Sequence, residues 1–237
     1  MNAIWTIAKK ELSTFFDSLV AYILLVIFLG LCGLFTWFMV SDVFLTNQAT
    51  LRGFFFWAGV FLMIFIPAIT MRMLAEEKNT GTIELLLTKS VTDRQVVVGK
   101  FLACFLLVII ALGFTLPYYA TVAYLGNIDH GATISGYLGL ILVSAAYISL
   151  CLFASSITKS QIVAFLLGLI ICFFLGWVFF FMSMQSSGIV SEIFQTLSVR
   201  SHFESIARGV IDTKDLVYFL SLTIIGILLA ETSIASR

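Results

Sequence analysis

Residue types that usually carry chemistry are scarce in this chain. Its two histidines, His130 and His202, have no cysteine or second histidine at the spacing of a metal site. The sequence contains no Gly-x-x-x-x-Gly-Lys-Ser/Thr loop for nucleotide phosphates, no His-Glu-x-x-His helix and no Gly-x-Ser-x-Gly turn. We therefore expect this chain to have no catalytic residue and to bind no metal and no cofactor.

The chemistry that remains is charge pairing, and it is concentrated between Arg72 and Lys100. The whole chain is 61% hydrophobic and 11% charged, with a mean hydropathy of +1.10, which is typical of a membrane protein. A long polar segment between two apolar runs is exceptional in such a chain. We interpret it as a loop that docks a partner on the cytoplasmic side of the membrane.

A short amphipathic helix between two turns is predicted inside this segment. Asn79-Thr80-Gly81 is a helix breaker, and Thr92 followed by Gln95 is a capping box that begins the next helix. The apolar triad Leu85-Leu86-Leu87 is too short to span a membrane. It therefore needs a groove, either on this protein or on a partner.

Six apolar runs are long enough to cross a bilayer as helices, since about 20 residues cover roughly 30 Å of hydrocarbon. The runs do not alternate polar and apolar residues, as the strands of a membrane barrel would. We predict an all-α polytopic protein whose full length, residues 1–237, is one transmembrane domain. The predicted spans lie at about 19–41, 54–72, 96–122, 135–157, 161–183 and 216–235.

Three segments of the predicted domain lie outside the spans. Residues 1–18 are expected to form an interfacial helix, which braces the first span, touches a partner or serves only as an orientation anchor. Residues 73–95 are the charged loop. Residues 184–215 form an outer loop with a short helix predicted at Ile189 to Leu197, and this loop closes an exit, meets a partner or is a passive cap.

Lysine and arginine set the expected orientation. With the N terminus inside, nine of these residues lie on the cytoplasmic side and four on the outer side, which favours both termini in the cytoplasm. The outer four are Arg52, Arg200, Arg208 and Lys214. Because the cations are divided between two faces, they form no basic stripe, and nucleic acid is not an expected partner.

Two further sets of residues lie inside the spans. Gly168, Cys172 and Gly176 recur every four residues, a small-residue face suited either to a dimer seam or to packing within the chain. Pro67 and Pro117 each remove a backbone donor and bend a helix, and such bends are either gates or ordinary features of membrane helices.

Several motifs resemble those of the type-2 ABC exporter permeases. Around the charged loop they are Ile66-Pro67-Ala68-Ile69-Thr70-Met71-Arg72, Gly81-Thr82-Ile83-Glu84-Leu85-Leu86-Leu87-Thr88 and Gly99-Lys100-Phe101. Near the C terminus, Arg208-Gly209-Val210-Ile211-Asp212 resembles the branch of gliding-motility-associated permeases, with nitrous-oxide reductase maturation permeases as near relatives. The chain departs at Ser90 and Leu19, where relatives commonly carry proline, and this affects turn stiffness more than chemistry.

The resemblance implies a permease subunit that docks cytosolic ABC ATPase subunits and pairs with a second permease chain, identical or paralogous. ATP and Mg would be bound by the partner ATPase. The family resemblance also implies the bacterial inner membrane as the location. The branch further implies gliding motility and an auxiliary membrane protein with an extracytoplasmic domain. The residues implied to couple to the ATPase are Glu76, Glu77, Gly81, Thr82, Glu84, Leu85, Leu86 and Leu87.

Two other functions stay open at this point. In one, the same loop transmits ATPase motion to an extracytoplasmic partner without moving a substrate. The other is an ion-coupled carrier, which is disfavoured because the central parts of all six spans lack Asp, Glu, Lys and Arg. Sodium coupling through hydroxyls and broken helices is still compatible with this composition. Export driven by a separate ATPase fits the sequence best.

Overall fold

The computed structural model describes residues 3–38, 49–81 and 92–235, and within these ranges the chain is helical with no strand. A π-helical turn at Phe174–Val178 lies between two of the helices. The helices are α1 (Ala3–Asp17), α2 (Leu19–Phe38), α3 (Arg52–Thr80), α4 (Asp93–Gly113), α5 (Leu116–Leu125), α6 (His130–Ile157), α7 (Gln161–Phe173), α8 (Phe179–Gln185), α9 (Ile189–Leu197), α10 (Val199–Ala207) and α11 (Thr213–Ala235).

The predicted all-α architecture with six membrane spans is confirmed. Within the described residues, six helical segments are long and apolar enough to cross a bilayer. The third consists of α4 and α5, and the fifth consists of α7, the π-helical turn and α8. The spans are Leu19–Phe38, Arg52–Thr80, Asp93–Leu125, His130–Ile157, Gln161–Gln185 and Thr213–Ala235.

The break in the third span is stabilised by Thr115. Its hydroxyl donates to the carbonyl oxygen of Leu112 at 2.6 Å and lies 3.1 Å from the hydroxyl of Tyr137. Pro117 is in the first turn of α5, where a residue has no helical partner for its N–H. Pro117 therefore begins a helix after the break, whereas Pro67 lies inside α3.

The central helix of the bundle is α6. Its largest interfaces are with α11 and α3, and it also contacts α4, α7 and α10. In the most apolar stretch of this helix, 72% of the residues are buried, whereas the share is 28%, 22% and 22% in the first, fifth and sixth spans. Glycines permit the closest approaches: a Cβ on Gly226 of α11 would lie 2.7 Å from the carbonyl carbon of Ser149 on α6. The peripheral spans leave their outer apolar faces uncovered.

The bundle has two ends with different connections. We call the end where α3 stops and α4 begins the loop end, because these helices flank residues 82–91. The amphipathic helix α1 lies at this end, where Ile7 packs against Gly99 of α4 so closely that a Cβ on Gly99 would lie 2.8 Å from the Ile7 methyl group. The opposite end, which we call the far end, carries the start of α3 and the short helices α9 and α10.

At the far end, a buried side-chain pair joins α10 to α11. His202 Nδ1 lies 2.6 Å from Asp215 Oδ1, and His202 Nε2 lies 3.1 Å from the carbonyl oxygen of Thr196. Because a carbonyl oxygen can only accept, Nε2 is the donor in the contact with Thr196. The Tyr218 ring stacks on the imidazole at a centroid distance of 4.0 Å. This pair fixes the short helix α10 on the last span.

Candidate functional site

The loop end holds both attachment points of residues 82–91 in defined conformations. Helix α3 ends at Thr80, and Gly81 follows with φ 69°, a left-handed conformation that glycine adopts without steric cost. The predicted capping box at the start of α4 is confirmed. The Thr92 hydroxyl accepts from the Gln95 N–H at 3.3 Å, and Gln95 Oε1 accepts from the Thr92 N–H at 3.2 Å.

Three of the eight residues predicted to couple to an ATPase are described. Glu76 is exposed on α3, Gly81 is the exposed residue that ends this helix, and Glu77 is partly buried. Glu76 therefore faces away from the bundle, whereas Glu77 faces the protein interior. The other five predicted residues lie outside the described residues, and they are Thr82, Glu84, Leu85, Leu86 and Leu87.

A buried charge cluster joins three helices just inside the loop end. Lys100 of α4 is 1% exposed. Its Nζ lies 2.7 Å from Oε1 of Glu77 on α3 and 3.2 Å from Oε1 of Glu11 on α1. Because an unpaired ammonium group is costly to bury, the two carboxylates stabilise Lys100 in this position. The cluster therefore holds α1, α3 and α4 together at the base of the loop.

The sequence analysis counts Lys100 only as one of the nine cations on the cytoplasmic side and does not predict that it is buried. The sequence does contain one signal, since Lys100 lies two turns after the N-cap Thr92 and is flanked by apolar residues. Glu11, however, is 89 residues away in the chain. No local pattern connects these two residues, so sequence reasoning could not find the pair.

Ser155 connects α6 to the backbone of α3. Its Oγ accepts from the N–H groups of Leu74 at 3.2 Å and Ala75 at 3.1 Å, and donates to the carbonyl oxygen of Met71 at 3.0 Å. Ser144, also buried in α6, instead donates to the carbonyl four residues earlier in its own helix. A hydroxyl inserted beside the backbone bonds of a neighbouring helix fixes the relative position of the two helices at that point.

Further contacts extend the junction to the last span. The Lys78 ammonium group of α3 donates to the carbonyl oxygen of Ser156 in α6. The Ser233 hydroxyl of α11 donates to the same carbonyl at 3.2 Å. On the other side of α3, the Arg72 guanidinium lies 4.8 Å from the ring centroid of Phe15 in α1. The last turns of α3 are thus connected to α1, α4, α6 and α11, and this set of contacts is the loop-end junction.

The small-residue face of the fifth span packs against α3 and α6 of the same chain. A Cβ on Gly168 would lie 3.1 Å from Cys151 Sγ and 3.3 Å from Pro67, and the thiols of Cys172 and Cys151 are 3.6 Å apart. A Cβ on Gly176 would lie 2.9 Å from the Tyr147 hydroxyl. These residues therefore allow the fifth span to approach the core closely.

The loop-end junction suits mechanical connection better than bond-breaking chemistry. Its charged groups are paired with each other and are largely shielded from solvent. Across the described ranges, no three His, Cys, Asp or Glu side chains are grouped as metal ligands would be.

Comparison with known proteins identifies the family of the chain. The family model described as ABC-2 family transporter protein matches residues 43–231, which include α3 to α10 and most of α11. No curated protein matches the chain. The family consists of membrane transport components that associate with an ABC ATPase, in agreement with the six spans described above. Because the match covers well over half of its length, the chain belongs to the ABC-2 family of transporter proteins and is a multi-pass permease component.

Proposed function

We propose that this chain is the permease through which a separate cytosolic ATPase drives export, with the predicted loop helix from Thr82 to Thr88 as the coupling segment. The observation that carries the proposal is the loop-end junction. Force applied at Gly81 or Thr92 acts on the ends of α3 and α4, which are connected through Lys100 and Ser155 to the other helices of the bundle. ATP and Mg bind to the ATPase, and a second permease chain, identical or paralogous, completes the complex.

The proposal requires the loop end to face the cytoplasm of a bacterium, with the chain in the inner membrane. Single cysteines at Asn79 and at Ser187 test this orientation, because the four native cysteines are buried in the structure. A membrane-impermeant maleimide is expected to label Ser187→Cys in intact cells whose outer membrane has been permeabilised. It should label Asn79→Cys only in inverted vesicles. The opposite pattern would place the coupling segment outside the cell and would contradict the proposal.

Coupling is tested by co-purification with ABC ATPases encoded beside this chain. The variant Glu84→Arg with Leu86→Asp is expected to lose the ATPase, because it reverses a charge and makes the apolar contact polar. Lys159→Glu, in the short connection between α6 and α7 that the orientation places on the same side, is the control and should retain the ATPase. Gel filtration of each variant establishes that the bundle is still folded.

Retention of the ATPase by the double variant would overturn the coupling assignment. Failure of the native chain to bind any of these ATPases would overturn the proposal as a whole. Equal loss in Lys159→Glu would show that the effect is one of charge on this side of the membrane and would also contradict a specific coupling segment.

A second candidate function is transmission of ATPase motion to an auxiliary protein with an extracytoplasmic domain, as in a gliding apparatus. One feature favours it: no residue of α9 is buried, and its apolar side chains Ile189, Val190 and Ile193 are 76%, 52% and 52% exposed. Such a face suits a partner helix. Reconstituted ATPase activity that follows addition of the auxiliary protein and ignores candidate substrates would favour this function over export.

A further inference from the structure

A half-open cavity of about 270 Å³ lies at the far end of the bundle, opposite the proposed coupling segment. Its walls come from α3, α6, α10 and the π-helical turn of the fifth span. Most of its lining is apolar or aromatic and includes Phe55, Met63 and Tyr147. Gly59 also lines it, and a Cβ there would have its nearest neighbour at 3.9 Å, so the absence of a side chain at this position leaves space.

The mouth of the same cavity is cationic. Three of the four cations that the sequence places on the outer side, Arg52, Arg200 and Arg208, line it together with one carboxylate, Glu204. Glu204 is already paired with Arg200, whose Nε lies 2.8 Å from Oε1. Among the described residues, no carboxylate lies within 4 Å of the Arg52 or Arg208 guanidinium. These two arginines leave positive charge at the mouth without a carboxylate to balance it.

The third arginine is held in place by aromatic rings. The Arg200 Cζ atom lies 4.3 Å from the ring centroid of Trp177, 4.4 Å from Phe180 and 4.8 Å from Phe56. Trp177 belongs to the π-helical turn at Phe174–Val178, a kind of irregularity that often occurs at functional sites. The turn thus places an indole ring and a fixed guanidinium at the border between the charged mouth and the apolar interior.

We propose that this cavity binds an anionic amphiphile, with a phosphate headgroup at Arg52 and Arg208 and an acyl chain in the apolar interior. Guanidinium groups bind phosphate oxygens through paired N–H donors, whereas most of the remaining cavity wall is apolar or aromatic and suits an acyl chain. Free phosphate would use the arginines but would leave the interior of the cavity unused. The inference goes beyond the proposed function, because binding at this site requires neither the ATPase nor transport.

Lysophosphatidylglycerol, which has one acyl chain and one phosphate, is the probe for this site. Its binding to the purified chain in neutral detergent is measured by native mass spectrometry, without the ATPase. The double variant Arg52→Gln with Arg208→Gln is expected to weaken binding at least tenfold. Lys214→Gln removes a cation from the same end that does not line the cavity, and it should bind the probe like the native chain. Lysophosphatidylcholine should bind weakly to all three proteins.

A second variant tests the apolar part of the site without changing any charge. Gly59→Leu projects a side chain into the cavity and is expected to abolish probe binding, while gel filtration and thermal unfolding report whether it is folded. Inorganic phosphate is expected not to displace the probe at matched ionic strength. Full displacement would identify a simple anion site and overturn the amphiphile assignment. Unchanged binding in the arginine variant, or an equal loss in Lys214→Gln, would overturn the site itself.

Discussion

The two ends of this helical bundle handle charge in opposite ways. At the loop end, Lys100 is buried and paired with two carboxylates. At the far end, Arg52 and Arg208 are exposed at the mouth of a cavity, and among the described residues no carboxylate oxygen lies within 4 Å of either guanidinium. Paired, buried charges hold helices in register, whereas unpaired charges beside empty space are available to a ligand. This difference favours the proposed force transmission at the loop end and the proposed ligand binding at the far end.

The largest effect is expected from Lys100→Met. This change leaves the partly buried Glu11 and Glu77 without their common cation, so the free energy of unfolding should fall by up to about 3–5 kcal/mol. SDS titration in mixed micelles measures it. Lys9→Met, at an exposed position of α1, is the control and should have little effect. If adding Glu11→Gln and Glu77→Gln to Lys100→Met restores no stability, the loss does not come from unpaired charge.

A matched pair of glycine variants compares packing at the two ends. Gly99→Ala places a methyl group 2.8 Å from the Ile7 side chain and 3.2 Å from the Ile4 carbonyl oxygen, and it should cost about 1–3 kcal/mol of unfolding free energy. Gly59→Ala meets its nearest neighbour at 3.9 Å and should be neutral or stabilising by up to about 1 kcal/mol. The same titration measures both. Equal effects would remove the contrast between a tight end and an open one.

Ser155→Ala tests the hydrogen bonds between α6 and α3. Loss of the hydroxyl removes its bonds to the backbone of Leu74, Ala75 and Met71, and should cost about 1–2 kcal/mol. Ser144→Ala, which removes a bond within one helix, should cost less. If transmission depends on this contact, Ser155→Ala should also lower the ATP hydrolysis of the reconstituted complex. An unchanged rate would exclude Ser155 from transmission.

The smallest effect is expected at the far end from Glu204→Gln. The ion pair with Arg200 is between residues four apart on one helix and is partly exposed, so its loss should cost about 0.3–0.5 kcal/mol. The aromatic rings around Arg200 should keep the guanidinium in place. Thermal unfolding in detergent measures the change. A loss as large as that of Lys100→Met would mean that the far end, too, depends on a structural ion pair.

The spans could be predicted from the sequence because lipid forces each crossing segment into a long apolar helix. The segment Gln161–Gln185 illustrates this, since its predicted range of 161–183 differs from the structure by only two residues. The capping box at Thr92 could be predicted equally well, because its two partners are three residues apart. Local periodicity and local hydrogen bonds can be recognised in a single sequence.

The contacts that define the two sites could not be predicted from the sequence in this way. Glu11 reaches Lys100 across 89 residues, and Ser155 reaches Ala75 across 80. The cavity combines arginines from the start of α3 and from both ends of α10, and the sequence grouped them only by their side of the membrane. Helix packing decides which polar residues meet, and packing depends on side-chain shape over the whole bundle. Sequence patterning therefore located the charged segment but not the junction at its base.

The position of the Ser155 contact has a consequence for how far the two ends of α3 can travel. The Ser155 hydroxyl contacts α3 at the Met71 carbonyl oxygen. From Met71, α3 continues for nine residues to Thr80 and extends back nineteen residues to Arg52. At 1.5 Å per residue these arms are about 14 Å and about 29 Å long. If Ser155 is the pivot of a rigid rod, each ångström of sideways displacement at the short arm becomes about two at the long one. Arg52, at the tip of the long arm, would then move at the mouth of the cavity by more than the coupling segment that drives it.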